Sequence, residues 1–185
     1  MSDSTSNASE KLAEMFSVWK EQHEQLDATM LELFQWINAP LHHQSPPYSL
    51  AAERLRALLI QLRVHFAHEE TLGEMLAVSH GGATQEISGV RQRVESEHHT
   101  LVNRLQAITD AIVRGSEAGS LARAGVAAEG NFPKSNGPRG NLDDGESNEQ
   151  KQWGSILVEF NLFYDLLEQH EEQEEQAIQW LRPSA

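Results

Sequence analysis

The sequence predicts an all-α protein, an antiparallel up-down-up-down four-helix bundle made of two repeated helical hairpins. Three observations carry this. Four long segments repeat apolar residues at helical spacing, prolines and glycines punctuate the segments, and the two halves of the chain match each other. At 185 residues the chain suits one domain with a substantial core, over residues 1–185.

The first helix is expected from about Ser9 to Asn38. "NASE" at Asn7 to Glu10 resembles a capping box, which leaves residues 1–8 as a flexible N-terminus, and Pro40 lies just past the end. "APLHHQSPPYS" follows as a proline-rich loop. The second helix runs from about Ser49 to Val78, with Gly81 and Gly82 as its stop. Thr84 is a candidate cap for the third, which runs to about Arg114. Residues 115–150 are rich in Gly, Asn and Ser and read as a flexible insertion, although "SLARAGVAA" has the makings of a short helix. The fourth helix runs from about Asn148 to Leu181, and Pro183 ends it.

A bundle needs one apolar seam per helix. The first seam reads Leu12, Phe16, Trp19, His23, Leu26, Met30, Leu33, Ile37, and the second Leu55, Leu58, Leu62, His65, Glu69, Leu72, Leu76. The third reads Ile87, Val90 or Arg91, Val94, His98, Leu101, Leu105, Ile108, Ile112. The fourth reads Ile156, Phe160, Phe163, Leu167, His170, Glu174, Ala177, Leu181. Every helix thus carries one seam histidine, and the second and fourth add a glutamate one turn later. Residues four apart share a helical face, so both His-x-x-x-Glu pairs point to the bundle axis.

A buried carboxylate without a partner costs several kcal/mol and tends to neutralise. Two glutamates and four histidines in one interior need compensation, and the seams offer no lysine. A bound cation supplies it. Each of two ions would take two histidines and share both carboxylates; imidazole with carboxylate suits iron, with zinc or manganese also compatible.

The two halves match each other. "HEQLDATML" from His23 aligns with "HHTLVNRL" from His98, and "HFAHEETL" from His65 with "HEEQEEQAI" from His170. The chain is a hairpin repeated twice, and each hairpin supplies His, then His-x-x-x-Glu.

These residues resemble the hemerythrin-like, or HHE cation-binding, domain family, over nearly all the chain outside the N-terminal residues and the insertion. The resemblance implies a four-helix bundle around a non-haem pair of iron ions, oxo- or hydroxo-bridged. Its terminal imidazole ligands would map to His23, His65, His98 and His170, and its bridging carboxylates to Glu69 and Glu174. Oxygen-carrying hemerythrins have a fifth histidine, one turn from the other on the third helix; here Val94 and Val102 hold those positions. The chain looks more like the four-histidine branch, which includes proteins resembling repair-of-iron-centres factors. Those factors carry a cysteine-bearing N-terminal segment, and this chain has no cysteine. The resemblance implies O2, NO or peroxide as the small-molecule ligand. The function expected is binding or sensing O2 or NO, or handling iron. The alternatives are an enzyme reducing peroxide or NO, an iron donor for cluster repair, and a metal-free helical interaction module.

Neighbouring residues compete for the same roles. Glu70 and Glu175 follow the seam glutamates but turn ~100° away, as solvated groups or groups behind the ligands. Glu175 is the alternative fourth-helix carboxylate, and His68 the best spare histidine. Asp27 lies one turn beyond His23 but outside the seam. His42, His43 and His80 fall in expected loops.

The charge excludes other classes. With 28 acidic and 14 basic residues, a net charge of -14, the chain lacks the basic patches that nucleic acid and anionic membranes require. No cysteine means no disulfide and no thiol catalysis. No His-Glu-x-x-His or phosphate-cradling glycine loop is present. The polar, acidic start "MSDSTSNASEK" and the lack of a membrane-length apolar run lead to an expected cytoplasmic location.

Overall fold

The computed structural model describes residues 3–79, 85–128 and 147–181. All elements there are helical: α1 (Asp3–Ile37), the short α2 (Pro40–Gln44), α3 (Tyr48–Ser79), α4 (Gln85–Ala128) and α5 (Asn148–Leu181). The four long helices form the expected antiparallel bundle. α3 packs on α1 and α4, α4 on α5, and α5 closes more loosely on α1.

Each helix exists because its seam is buried. Leu26, Leu55, Leu62, Leu105, Ile112, Phe160 and Phe163 are fully enclosed. Trp153 is also fully enclosed, one further step along the α5 seam than the sequence reading began it. The core divides in two. A large cluster fills the half of the bundle that contains Tyr48 and Trp153. A smaller one, built on Leu72, Leu76, Ile87 and Ile178, receives Leu12, Phe16 and Trp19 of α1. The polar layer of histidines and glutamates lies between them along every seam.

Local signals explain the boundaries. Pro40 sits in the first turn of α2, where its missing N–H is no loss. α5 opens on a reciprocal cap: the Gln150 backbone N–H donates to Ser147 Oγ (3.2 Å), and the Ser147 N–H donates to Gln150 Oε1 (2.8 Å). Asn38 ties the end of α1 to α5, its Nδ2 donating to Asn161 Oδ1 at 3.1 Å.

Three expectations are corrected. α1 begins at Asp3, so Asn7 to Glu10 lie inside the helix rather than capping its start. Once a helix is nucleated, adding a polar turn costs only tenths of a kcal/mol per residue. α4 runs on to Ala128, through the residues expected to start the insertion and through Ser120 to Ala128. Gly115, the first residue of the expected insertion, is a buried helical position where the Tyr48 ring presses onto the backbone. His42 and His43, expected in a loop, lie on α2. His80, Gly81, Gly82, Thr84 and Pro183 fall outside the described residues, as do 129–146 of the insertion.

The Gly115 contact joins three helices. Tyr48 donates its hydroxyl to the Glu149 carbonyl at 2.7 Å and meets the Trp153 ring edge-on at 5.4 Å. A methyl group at position 115 would collide with the Tyr48 ring. Gly115→Ala is therefore expected to destabilise the protein by about 1–3 kcal/mol through overpacking, although alanine is the better helix former. A urea-unfolding midpoint equal to or above the parent's would show that the ring gives way freely.

Among the described residues, no helix is long and apolar enough to cross a membrane.

Candidate metal centre

Helical register brings the six seam residues together. His65 and Glu69 of α3, His98 of α4, and His170 and Glu174 of α5 are buried. The His23 side chain of α1 keeps 15% of its surface exposed. Two groups of donor atoms form, each within 4.8 Å: His23, His65, Glu69 and Glu174 in one, and Glu69, His98 and His170 in the other. Glu69 belongs to both. Its Oε1 lies 2.6 Å from His65 Nε2 and 3.6 Å from His23 Nε2, and its Oε2 lies 3.2 Å from His98 Nε2. Glu174 Oε2 lies 3.7 Å from His23 Nε2.

Closeness here is not hydrogen bonding. The Nε2 atoms of all four histidines, both Glu69 oxygens and Glu174 Oε2 are buried without a well-directed hydrogen bond. Groups buried this way cost about 1–3 kcal/mol each unless something else takes their lone pairs. The opposite ring nitrogens, by contrast, are held on three histidines. His98 Nδ1 meets Glu70 Oε1 at 3.1 Å, His170 Nδ1 meets Glu97 Oε2 at 3.0 Å, and His23 Nδ1 meets the Trp19 carbonyl at 3.2 Å. An Nδ1–H engaged by an acceptor leaves Nε2 as a bare lone pair, the form that ligates a cation. Phe66 walls the layer: it stacks on the His98 ring at 3.9 Å and 4° and meets His170 edge-on at 5.5 Å.

The protonation pattern agrees. Burial lowers the His23 and His170 pKa values below the ordinary 6.5, so both rings are neutral at pH 7. Burial also pushes Glu69 up, but the His65 and His98 rings close beside it outweigh that and hold the carboxyl well below the usual range. Burial and the neighbouring Glu69 charge push Glu174 well above that range. The two carboxyls are thus pushed in opposite directions.

A cleft of about 710 Å³ opens between α1 and α5 and reaches His23. Asp27 and Glu171 line it together. Burial, then hydrogen bonding and charge from Asp27, push Glu171 up to about 9. A carboxyl raised on folding lends stability that is present below about pH 4.5 and is lost as pH rises toward 9. The lowered histidines act oppositely, weakening the fold only as pH falls below 6.5. In metal-free protein, the urea midpoint is thus expected to fall between pH 6.5 and 9, and Glu171→Gln to flatten that slope. An unchanged slope in the variant would remove Glu171 as a cause.

The other candidates separate. His68 is turned to α1, its Nε2 meeting the Met15 carbonyl at 3.2 Å, outside both donor groups. Glu175 is exposed and lines the cleft, whereas Glu174 joins the first group. Asp27 faces Glu171 rather than orienting His23. Sequence reasoning missed Glu97 and Phe66. Both are adjacent to seam residues, and only the packing of α3, α4 and α5 shows which ring each one meets.

The description "Hemerythrin HHE cation binding domain" matches residues 14–179, nearly the whole bundle. The chain belongs to this family. Among curated proteins and among solved structures, no match to the chain was found. A hemerythrin-domain protein binds cations, and the two donor groups are where this one can hold them.

Proposed function

We propose that this hemerythrin-domain protein holds a pair of iron ions and through them binds or senses O2 or NO. His23, His65, His98 and His170 would be the terminal ligands, with Glu69 and Glu174 as the shared carboxylates. The observation that carries this reading is the set of buried, unpartnered Nε2 and carboxylate oxygen atoms facing one another. Iron bound there supplies a redox-active centre, and three or four protein donors per ion leave positions for a small ligand. The protein supplies imidazoles whose Nε2 atoms face one another, and Phe66 and Trp19 pack against them.

A second reading is a di-iron enzyme that reduces peroxide or NO. The open α1–α5 cleft favours it, because a centre reached by a cleft of this size can exchange substrate and product. The two readings part on one experiment. Anaerobically iron-loaded protein is exposed to O2, NO and peroxide and followed by absorption. A spectral change reversed by removing the gas supports binding or sensing; sustained consumption of peroxide or NO with a reductant supports the enzyme.

A further inference from the structure

A second opening reaches the polar layer from the opposite side. It is a small crevice of about 50 Å³ enclosed by α3, α4 and α5. Its walls are Gly73, Leu76, Val90, Val94, Ala177 and Ile178, and Glu69 and Glu174 close its inner end. Arg91 stands at the outer end, with Nη2 3.2 Å from Glu74 Oε1 and 3.4 Å from Glu95 Oε1, linking α3 to α4.

The crevice differs from the α1–α5 cleft in size and chemistry. The cleft is wide and ringed by carboxylates, while the crevice is narrow and mostly apolar. Its space traces to a glycine. Nothing lies within 4 Å of where a Cβ would stand on Gly73. Glycine in a helix interior costs up to about 1 kcal/mol relative to alanine. A water held there would need two to four polar partners, and between its two ends the lining offers only Glu70, whose Oε1 already meets His98 Nδ1. At its inner end stand the Glu69 and Glu174 carboxylates, which would be held by a cation bound in the polar layer. A space of this size that disfavours water accepts a few uncharged, weakly solvated atoms.

We infer that the crevice beside Gly73 is a binding pocket for a small uncharged ligand, a dissolved diatomic gas, and its route to the Glu69–Glu174 end of the centre. This rests on the proposed function for what the ligand meets there; the pocket itself does not depend on metal. Arg91 and its two carboxylate partners keep charged solutes at the mouth.

Xenon is the probe for the pocket, and NO for the route. Xenon is followed by 129Xe NMR on the full chain, metal-free and iron-loaded, in the parent, Gly73→Ala and Gly73→Leu. The parent is expected to bind xenon in both forms, Gly73→Ala to bind it more weakly, and Gly73→Leu not at all. With iron loaded, Gly73→Leu is expected to slow NO association by about an order of magnitude or more while metal per chain stays unchanged. Should Gly73→Leu not fold, the weaker xenon binding and slower NO association of Gly73→Ala decide the matter. Absence of xenon binding in the parent, or an NO rate indifferent to residue 73, overturns the inference. Failure to load iron at all would sink the proposed function instead, and the xenon result would still decide the pocket.

Discussion

Glu69→Ala is expected to remove both metal ions at once. Glu69 is the residue common to the two donor groups, and its two oxygens face different histidines, His65 on one side and His98 on the other. Losing a group that merely supports a ligand weakens metal binding about 10–100-fold, so losing a shared ligand should exceed that at both positions. Replacing the buried carboxylate removes a desolvation cost but also takes away the group beside His65 and His98, so the metal-free variant is not expected to gain stability. Metal per chain after anaerobic Fe(II) loading, read beside a urea melt, separates ligand loss from misfolding. His65→Ala and Glu174→Ala should lose the pair as well. His43→Ala, exposed on α2, should keep it, and so should His68→Ala. Equal metal content across all these variants would overturn the ligand assignment.

The largest loss of stability is expected at Trp153. Its side chain is completely buried at the start of α5, against Tyr48 and the large core cluster. Trp153→Ala removes the largest enclosed side chain and leaves a cavity that helices anchored on three sides cannot collapse. The cost should be about 3–5 kcal/mol. Trp153→Phe should cost much less, since the indole N–H has no hydrogen-bond partner to lose. Val158→Ala, on the exposed face of the same helix, should stay within about 0.5 kcal/mol. Urea unfolding at constant pH measures all three. A Trp153→Ala midpoint close to that of Val158→Ala would show that this end of the bundle is not the anchor of the fold.

The polar layer was legible because a helix converts spacing into direction. His65 and Glu69, or His170 and Glu174, can share a face only if both point where the leucines on either side point, and the buried leucines show where that is. The doubled hairpin made the same statement twice. What spacing could not show was anything that depends on a partner helix. Glu97 serves a histidine on α5 rather than its neighbour His98, and Glu70 serves His98 on α4. Gly115 misled for a related reason. It opens the stretch rich in Gly, Asn and Ser that reads as an insertion, but here it continues α4 and makes room for Tyr48, which is distant in sequence. The start of α1 was misplaced because a polar capping pattern inside a helix looks like one at its end.

On the proposed reading, the buried, unpartnered donors of the polar layer exist to hold a metal pair. Metal content per chain, on protein purified without a histidine tag and with its visible spectrum recorded in air, tests it most directly. About two irons per chain are expected, with near-ultraviolet bands of an oxo-bridged pair. A folded protein with no metal, and no uptake of Fe(II) in the absence of oxygen, would contradict it and leave a helical interaction module whose histidines and glutamates satisfy one another.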